Sequence, residues 1–272
     1  MSGRRVDRRP GGRRCVLLAL GLVAAVSSPA TAQWPFRDKT PDFEQHNVPY
    51  SGRYVFVRLS FTPSRTGYGG GGGFFGGINY QWDHDYPTAD RNFSTIVGEL
   101  TYAASDSGHN IIAIGSPEIF KYPIAYMSEP GWWTMTEEEV ANLRSYFLKG
   151  GFIIFDDFAG SSQGSNFVEQ IRRILPEARL TEVDPSHSIF HSFFEIERRV
   201  IEEAMHPYFG GRAQFVGAYE DNDPSKRLLF IANFNNDIGD AWEWSNTGYI
   251  PIALSNEAYK LGVNYLVYAM TH

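Results

Sequence analysis

Four clusters of polar side chains stand out in this chain because each follows a stretch that reads as a strand, the first of them after that strand's loop. They are Asp83-His84-Asp85, Ser128-Glu129, Asp156-Asp157, and Asn235-Asn236-Asp237 with Asp240 and Glu243. Carboxylates gathered in one place repel one another unless a cation, a proton or a basic ligand relieves them. Oxygen-rich sets of this kind suit Mg²⁺ or Ca²⁺. Asp85, Asp156, Asp157, Asp237 and Glu243 are therefore the candidate ligand-binding residues, with a divalent metal as the candidate cofactor. The bland alternative is that acidic loop residues cap helices and make turns with no ligand at all. Alternation along a strand points neighbouring side chains in opposite directions. One of Asp156 and Asp157 is thus expected to face a crevice, and the other to cap the next element or meet a buried donor.

Other chemistry is poorly supported. His187 and His191 stand four apart and would share a face of a helix, but a zinc site needs a third ligand and no H-E-x-x-H is present. Their apolar neighbours Ile189, Phe190, Phe193 and Phe194 favour a structural pair. Gly67, Gly69 and Gly72 satisfy G-x-G-x-x-G in outline, yet no helix opens before about Asp90, as a dinucleotide site requires. The glycine-rich run reads as a surface flap whose Phe74 and Phe75 leave a ligand lid open. No G-x-S-x-G supports serine hydrolysis. Trp242-Glu243-Trp244 suits stacking on sugar rings, or covering a core edge.

The elements that must position these clusters follow from periodicity. Tyr54 to Thr62 reads as the first strand, with Val55, Val57, Leu59 and Phe61 on one face. Asp90 caps a helix carrying Phe93, Ile96, Val97, Leu100 and Ala104. Strands are expected at Asn110 to Gly115, Ile124 to Met127 and Gly151 to Asp157, then at Arg179 to Val183, Gln214 to Ala218 and Leu228 to Phe234. Thr136-Glu137-Glu138-Glu139 is a capping box opening a helix with Val140, Leu143 and Phe147 inward. A further helix carries Phe167, Ile171 and Ile174, and a closing one Val263, Leu266, Val267 and Met270. The alternation predicts an α/β fold with a mainly parallel sheet and helices on both faces. Ligands of such sheets bind outside the carboxyl ends of the strands, where the polar clusters fall.

Before position 15 stand six arginines, followed by an uncharged stretch from Cys15 to Pro29 and the triplet Ala30-Thr31-Ala32. This order predicts a cleavable signal peptide over residues 1–32, with Gln33 first in the mature chain. Arg13-Arg14 fits a twin-arginine signal as well as an ordinary secretory one. A periplasmic or secreted protein of a bacterium is expected, with no membrane span after cleavage because no later stretch is long enough. Residues 33–53 read as an irregular arm, and 54–272 as one domain with a glycine-rich loop at 67–77. Cys15 is the lone cysteine, so thiol chemistry and disulfides are not expected in the mature chain. The formal net charge of −7 becomes more negative once the arginine-rich leader is removed, which argues against nucleic acid as a partner.

Five segments together resemble the bacterial family catalogued as domain of unknown function 4159: Trp82 to Thr101, Tyr122 to Met127, Leu143 to Asp157, His187 to Phe194 and Asn236 to Glu243. The resemblance implies a flavodoxin-like fold allied to the class I glutamine amidotransferase-like superfamily. In that superfamily the turn after the Gly-Gly-Phe strand carries a nucleophilic cysteine or a histidine. Here the turn offers Asp156 and Asp157, which removes glutamine hydrolysis by the usual route and marks Asp157, nearer the turn, as the expected site residue. The expectation is an exported domain binding a small polar ligand, carbohydrate or metal, at the carboxyl edge of the sheet. The alternatives are a metal-assisted hydrolase using the same carboxylates, or a non-catalytic accessory subunit of an envelope complex.

Overall fold

A computed structural model describes residues 47–64, 80–101, 108–204 and 210–272. The predicted signal peptide, most of the arm and the glycine-rich loop lie outside the described residues. In chain order the elements are β1 (Phe56–Ser60), β2 (Thr62–Pro63), α1 (Thr88–Leu100), β3 (His109–Ala113), β4 (Ile124–Ser128), β5 (Trp133–Thr134), α2 (Glu137–Leu148) and β6 (Phe152–Phe158). They continue with α3 (Gly160–Ile174), β7 (Thr181–Glu182), α4 (Arg198–Glu202), β8 (Gln214–Tyr219), β9 (Leu228–Phe234), α5 (Ile238–Glu243) and α6 (Ile252–Thr271).

Seven strands form one sheet in the order β3-β1-β4-β6-β9-β8-β7, while β2 and β5 pair separately. The first five of that order run parallel. Only β8 runs against them, antiparallel to both β9 and β7. Parallel neighbours need crossovers, and these put helices on the faces of the sheet. The core is accordingly double. On one face Leu143 and Phe147 of α2 and Phe167 and Ile171 of α3 pack over Val57, Met127 and Phe155. On the other, Phe93 and Val97 of α1 and Leu261 and Tyr265 of α6 pack over Phe56, Tyr126 and Ile154. The α/β class with a mainly parallel sheet is therefore as the periodicity implied.

The capping box at α2 forms in full: Glu139 N donates to Thr136 Oγ1 at 3.2 Å and Thr136 N to Glu139 Oε2 at 2.7 Å. Several local expectations need correction. Asp90 does not cap α1, which opens at Thr88 after Pro87. Its side chain is fully buried against Arg58 of β1 instead, because a guanidinium in the middle of a buried strand demands a countercharge. The first main-sheet strand ends at Ser60, and the strand expected at Arg179 to Val183 is only Thr181–Glu182, on the sheet margin. Met270 lies in the last turn of α6 with 52 % exposure and is not core. No helix among the described residues is long and apolar enough to cross a membrane.

Candidate functional site

Because β1, β4, β6 and β9 run parallel, the chain leaves all four at one edge, and the polar clusters sit in the last residues of these strands or in the segments that follow. Asp85, Glu129, Asp157 and Asn235 each adopt a left-handed backbone there, with φ of 62°, 49°, 59° and 53°. Such conformations cost of the order of 1–3 kcal/mol for a residue other than glycine, and they concentrate at ligand sites. Asp157 falls where the pairing of β6 with β9 shifts register, between Phe155 and Phe158. An irregularity of this kind re-aims a side chain at the end of a strand.

His84 stands among these acids. Its Nδ1 lies 2.6 Å from Asp157 Oδ2, 3.4 Å from Glu129 Oε1 and 3.7 Å from Asp85 Oδ1. Its side chain keeps 41 % exposure while Asp85 is fully buried, so the histidine forms the solvent-facing side of the cluster. Three overlapping sets of ligand atoms result: His84, Glu129 and Asp157; His84, Asp85 and Asp240; Asp85, Asp157 and Asp237. Within each set all the ligand atoms lie within 4.8 Å of one another. Two like charges at that distance repel by about 3–4 kcal/mol at an effective dielectric constant near 20. Burial opposes a charge on His84, yet the carboxylates of Asp85, Asp157 and Glu129 outweigh it and hold the imidazole well above its ordinary pKa. Burial, followed by the charges of Asp157, Asp240, Asp85 and Asp156, drives Asp237 well above the usual carboxylate range. The protons held on these groups are what a bound cation would replace.

Asp156 has different surroundings. Its Oδ2 accepts from Tyr126 Oη at 2.9 Å, Ile238 N at 3.0 Å and Gly239 N at 2.9 Å, while Oδ1 accepts from Asn233 Nδ2 at 2.9 Å. Burial pushes its pKa up to about 7 against the pull of these donors. Asp156 thus fastens the first turn of α5 to the end of β6, and α5 in turn carries Asp240, with Asp237 as its cap through a 2.8 Å bond to Asp240 N. Asp157 belongs to two of the three ligand sets and Asp156 to none.

Two further residues position the cluster. Arg58 is fully buried, with Nε 3.1 Å from both Asp90 oxygens and Nη2 paired with Asp90 Oδ1. Its Nη1 donates to the carbonyls of Trp82 at 3.1 Å and His84 at 2.9 Å, pinning the turn that presents His84 and Asp85. Gly239 lets α5 approach that turn. A Cβ there would lie 2.5 Å from Tyr126 Oη and 2.6 Å from Asp85 Oδ2.

Of the five residues chosen from sequence, Asp85, Asp157 and Asp237 share one ligand set. Asp156 stands behind them, and Glu243 at the end of α5 enters none of the sets; its carbonyl accepts from Asn92 Nδ2 at 3.4 Å. His84, Glu129 and Asp240 lie in clusters visible in the sequence but were not among the five. Their signal was position alone, at the carboxyl ends of strands. His187 caps a 3-10 turn by accepting from Ile189 N at 3.2 Å, and His191 Nε2 meets the Pro185 carbonyl at 2.8 Å, both outside the acid cluster. Trp242 is fully buried, with its ring 4.4 Å from that of Phe93, so it covers core and cannot stack on a sugar.

Together these observations describe an α/β protein with an acidic, histidine-bearing cluster at the carboxyl edge of a mainly parallel sheet. The model of the family described as Domain of unknown function (DUF4159) matches residues 72–270, and the chain belongs to that family. No curated protein matches it in sequence.

Proposed function

We propose that this protein binds a divalent cation at the carboxyl edge of its sheet through His84, Asp85, Asp157 and Asp237, with Glu129 and Asp240 completing the shell. The observation that carries this reading is the overlap of three ligand sets drawn from four separate segments, each set within 4.8 Å. Local helix capping or turn formation gives no reason for side chains so far apart in sequence to converge. The all-aspartate set suits a hard cation such as Mg²⁺ or Ca²⁺, whereas the sets containing His84 also admit Mn²⁺ or Zn²⁺.

The fold reads as flavodoxin-like, of the glutamine amidotransferase-like kind. In support, the five parallel strands, renumbered among themselves, run in the order 2-1-3-4-5. The order reverses between β1 and β4, and a crevice at such a reversal is where open α/β sheets take their ligands. His84 and Asp85 follow β1 and Glu129 follows β4, on either side of that reversal. The arginine-rich, apolar and small-residue order of residues 1–32 supports export to the periplasm or beyond. A second reading, metal-assisted hydrolysis of a small polar substrate, is favoured by one observation: the exposure of His84 leaves the cluster open to substrate and water.

Thermal melts of metal-stripped protein with Mg²⁺, Ca²⁺, Mn²⁺ and Zn²⁺ test the cation reading. At least one ion should raise the melting temperature at micromolar to millimolar concentration. If none does, the reading is wrong.

A further inference from the structure

A concavity lined by none of the acid-cluster residues lies between α3 and the strands beyond it, with a volume of about 880 Å³. One wall is a single face of α3, formed by Ser161, Gly164, Ser165, Val168 and Arg172. Residues at that spacing follow the helix for almost its whole length, so the groove is about 17 Å long at a rise of 1.5 Å per residue. The opposite wall comes from Leu180, Gln214, Val216 and Phe234, and Phe158 and Phe167 form the floor. Small side chains at positions 161, 164 and 165 turn what would be a helical ridge into a trough. At Gly164 the helix meets the opposite wall, since a Cβ there would lie 3.0 Å from the Phe234 ring, so at that point the ring itself forms the bottom of the trough.

The chemistry along the groove is uneven. Val168, Leu180, Val216 and Phe234 are only half-buried, so apolar atoms meet water along most of its length. Cations stand at one end. Arg173 is committed, donating to Glu137 Oε1 and Gln170 Oε1 at 2.7 Å and to the Met135 carbonyl at 3.0 Å. Arg172 is exposed and enters no ion pair among the described residues. Glu169 also lines the groove, one turn before Arg172. In a chain of net charge −7, an unpaired guanidinium at the end of an apolar trough favours one anionic group there. A long, narrow apolar wall accommodates an extended chain better than a compact ring.

We propose that this groove binds a straight-chain fatty acid, with the hydrocarbon laid along α3 and the carboxylate at Arg172. This rests on the groove alone and is independent of the cation site.

The probe is dodecanoate below its micellar concentration, titrated into the full-length mature protein by calorimetry, with dodecyltrimethylammonium as the oppositely charged control. Wild type should take up one dodecanoate. Ser165→Trp, which fills the trough from an exposed position, should weaken binding at least tenfold. Arg172→Glu should weaken dodecanoate at least tenfold while leaving dodecyltrimethylammonium as tight or tighter. Asp157→Asn should bind dodecanoate as wild type does. Circular dichroism melts confirm that each variant is folded. The proposal is overturned if dodecanoate does not bind, or if neither groove variant weakens it. Sedimentation with anionic phospholipid vesicles without uptake of monomeric dodecanoate would mean that the groove meets a membrane, and would also overturn it. So would a dimer that Ser165→Trp dissociates in a protein that ignores dodecanoate.

Discussion

Replacing Gly239 by alanine sets two well-known effects against each other. In an ordinary helix, alanine is favoured over glycine by about 1 kcal/mol. Here the added Cβ would stand 2.5 Å from Tyr126 Oη and 2.6 Å from Asp85 Oδ2, closer than real Cβ contacts. Both neighbours are fully buried, so neither can swing into solvent. The first turn of α5 must move outward, stretching the bonds from Ile238 N and Gly239 N to Asp156, now 3.0 and 2.9 Å. Overpacking costs about 1–3 kcal/mol, and the two stretched hydrogen bonds together about 1 kcal/mol. After the propensity gain is subtracted, a net loss of about 2 kcal/mol remains. For a domain of this size that corresponds to a melting temperature about 4–8 °C lower. Separating α5 from Asp85 also pulls the ligand sets apart, so the cation-induced rise in melting temperature should shrink. Thermal melts with and without cation provide the assay. A variant that melts at or above wild type and responds fully to cation would refute the packing on which the site depends.

Arg58→Met should cost about 3–5 kcal/mol, since it strands the buried carboxylate of Asp90, and adding Asp90→Leu should recover much of that loss. Chemical denaturation measures both, and the double variant should still respond weakly to cation, because the carbonyls of Trp82 and His84 have lost their donor. The folded-state pKa of His84 is raised, so the stability from its charged contacts is fully present below the unfolded value of about 6.5 and is lost as pH rises through the folded value. Melting of the metal-free protein should therefore fall with pH over that window, and His84→Gln should flatten the fall. Cation affinity should rise over the same window, because coordination requires His84 to lose its proton. Protein recovered from the envelope fraction should begin at Gln33; an intact Met1 would contradict the export proposal.

The layer structure was legible because periodicity is a local property. Phe93 and Val97, or Leu143 and Phe147, declare a buried helix face without reference to anything distant. The capping box at Thr136 was equally readable. The site was legible only as a set of locations. Asp85, Asp157 and Asp237 were chosen because they fall at or after the carboxyl ends of expected strands, but their convergence depends on the order β1-β4-β6-β9, which no single segment encodes. Arg58 was invisible for a related reason: in the run Phe56-Val57-Arg58-Leu59 it looks like an interruption, and its meaning appears only when Asp90 and the carbonyl of His84 close around it. Asp90 misled in the same way, because an acid near a helix start is ordinarily a cap. That Asp156 and Asp157 have different surroundings was legible from alternation along β6, whereas the register shift between Phe155 and Phe158 was not.

The most direct measurement is calorimetric titration of Mn²⁺ into metal-stripped wild type, Asp157→Asn and Asp156→Asn at one pH, with the fold of each checked by its melt. Wild type should bind with a measurable heat. Asp157→Asn should lose that binding and stay folded, losing no more stability than its 2.6 Å contact with His84 supplies. Asp156→Asn should lose about 1–3 kcal/mol of stability, as expected for a disturbed buried hydrogen-bond partner, and still bind the ion. Binding by Asp157→Asn equal to that of wild type, or no binding by any of the three, would contradict the assignment of this crevice as a cation site.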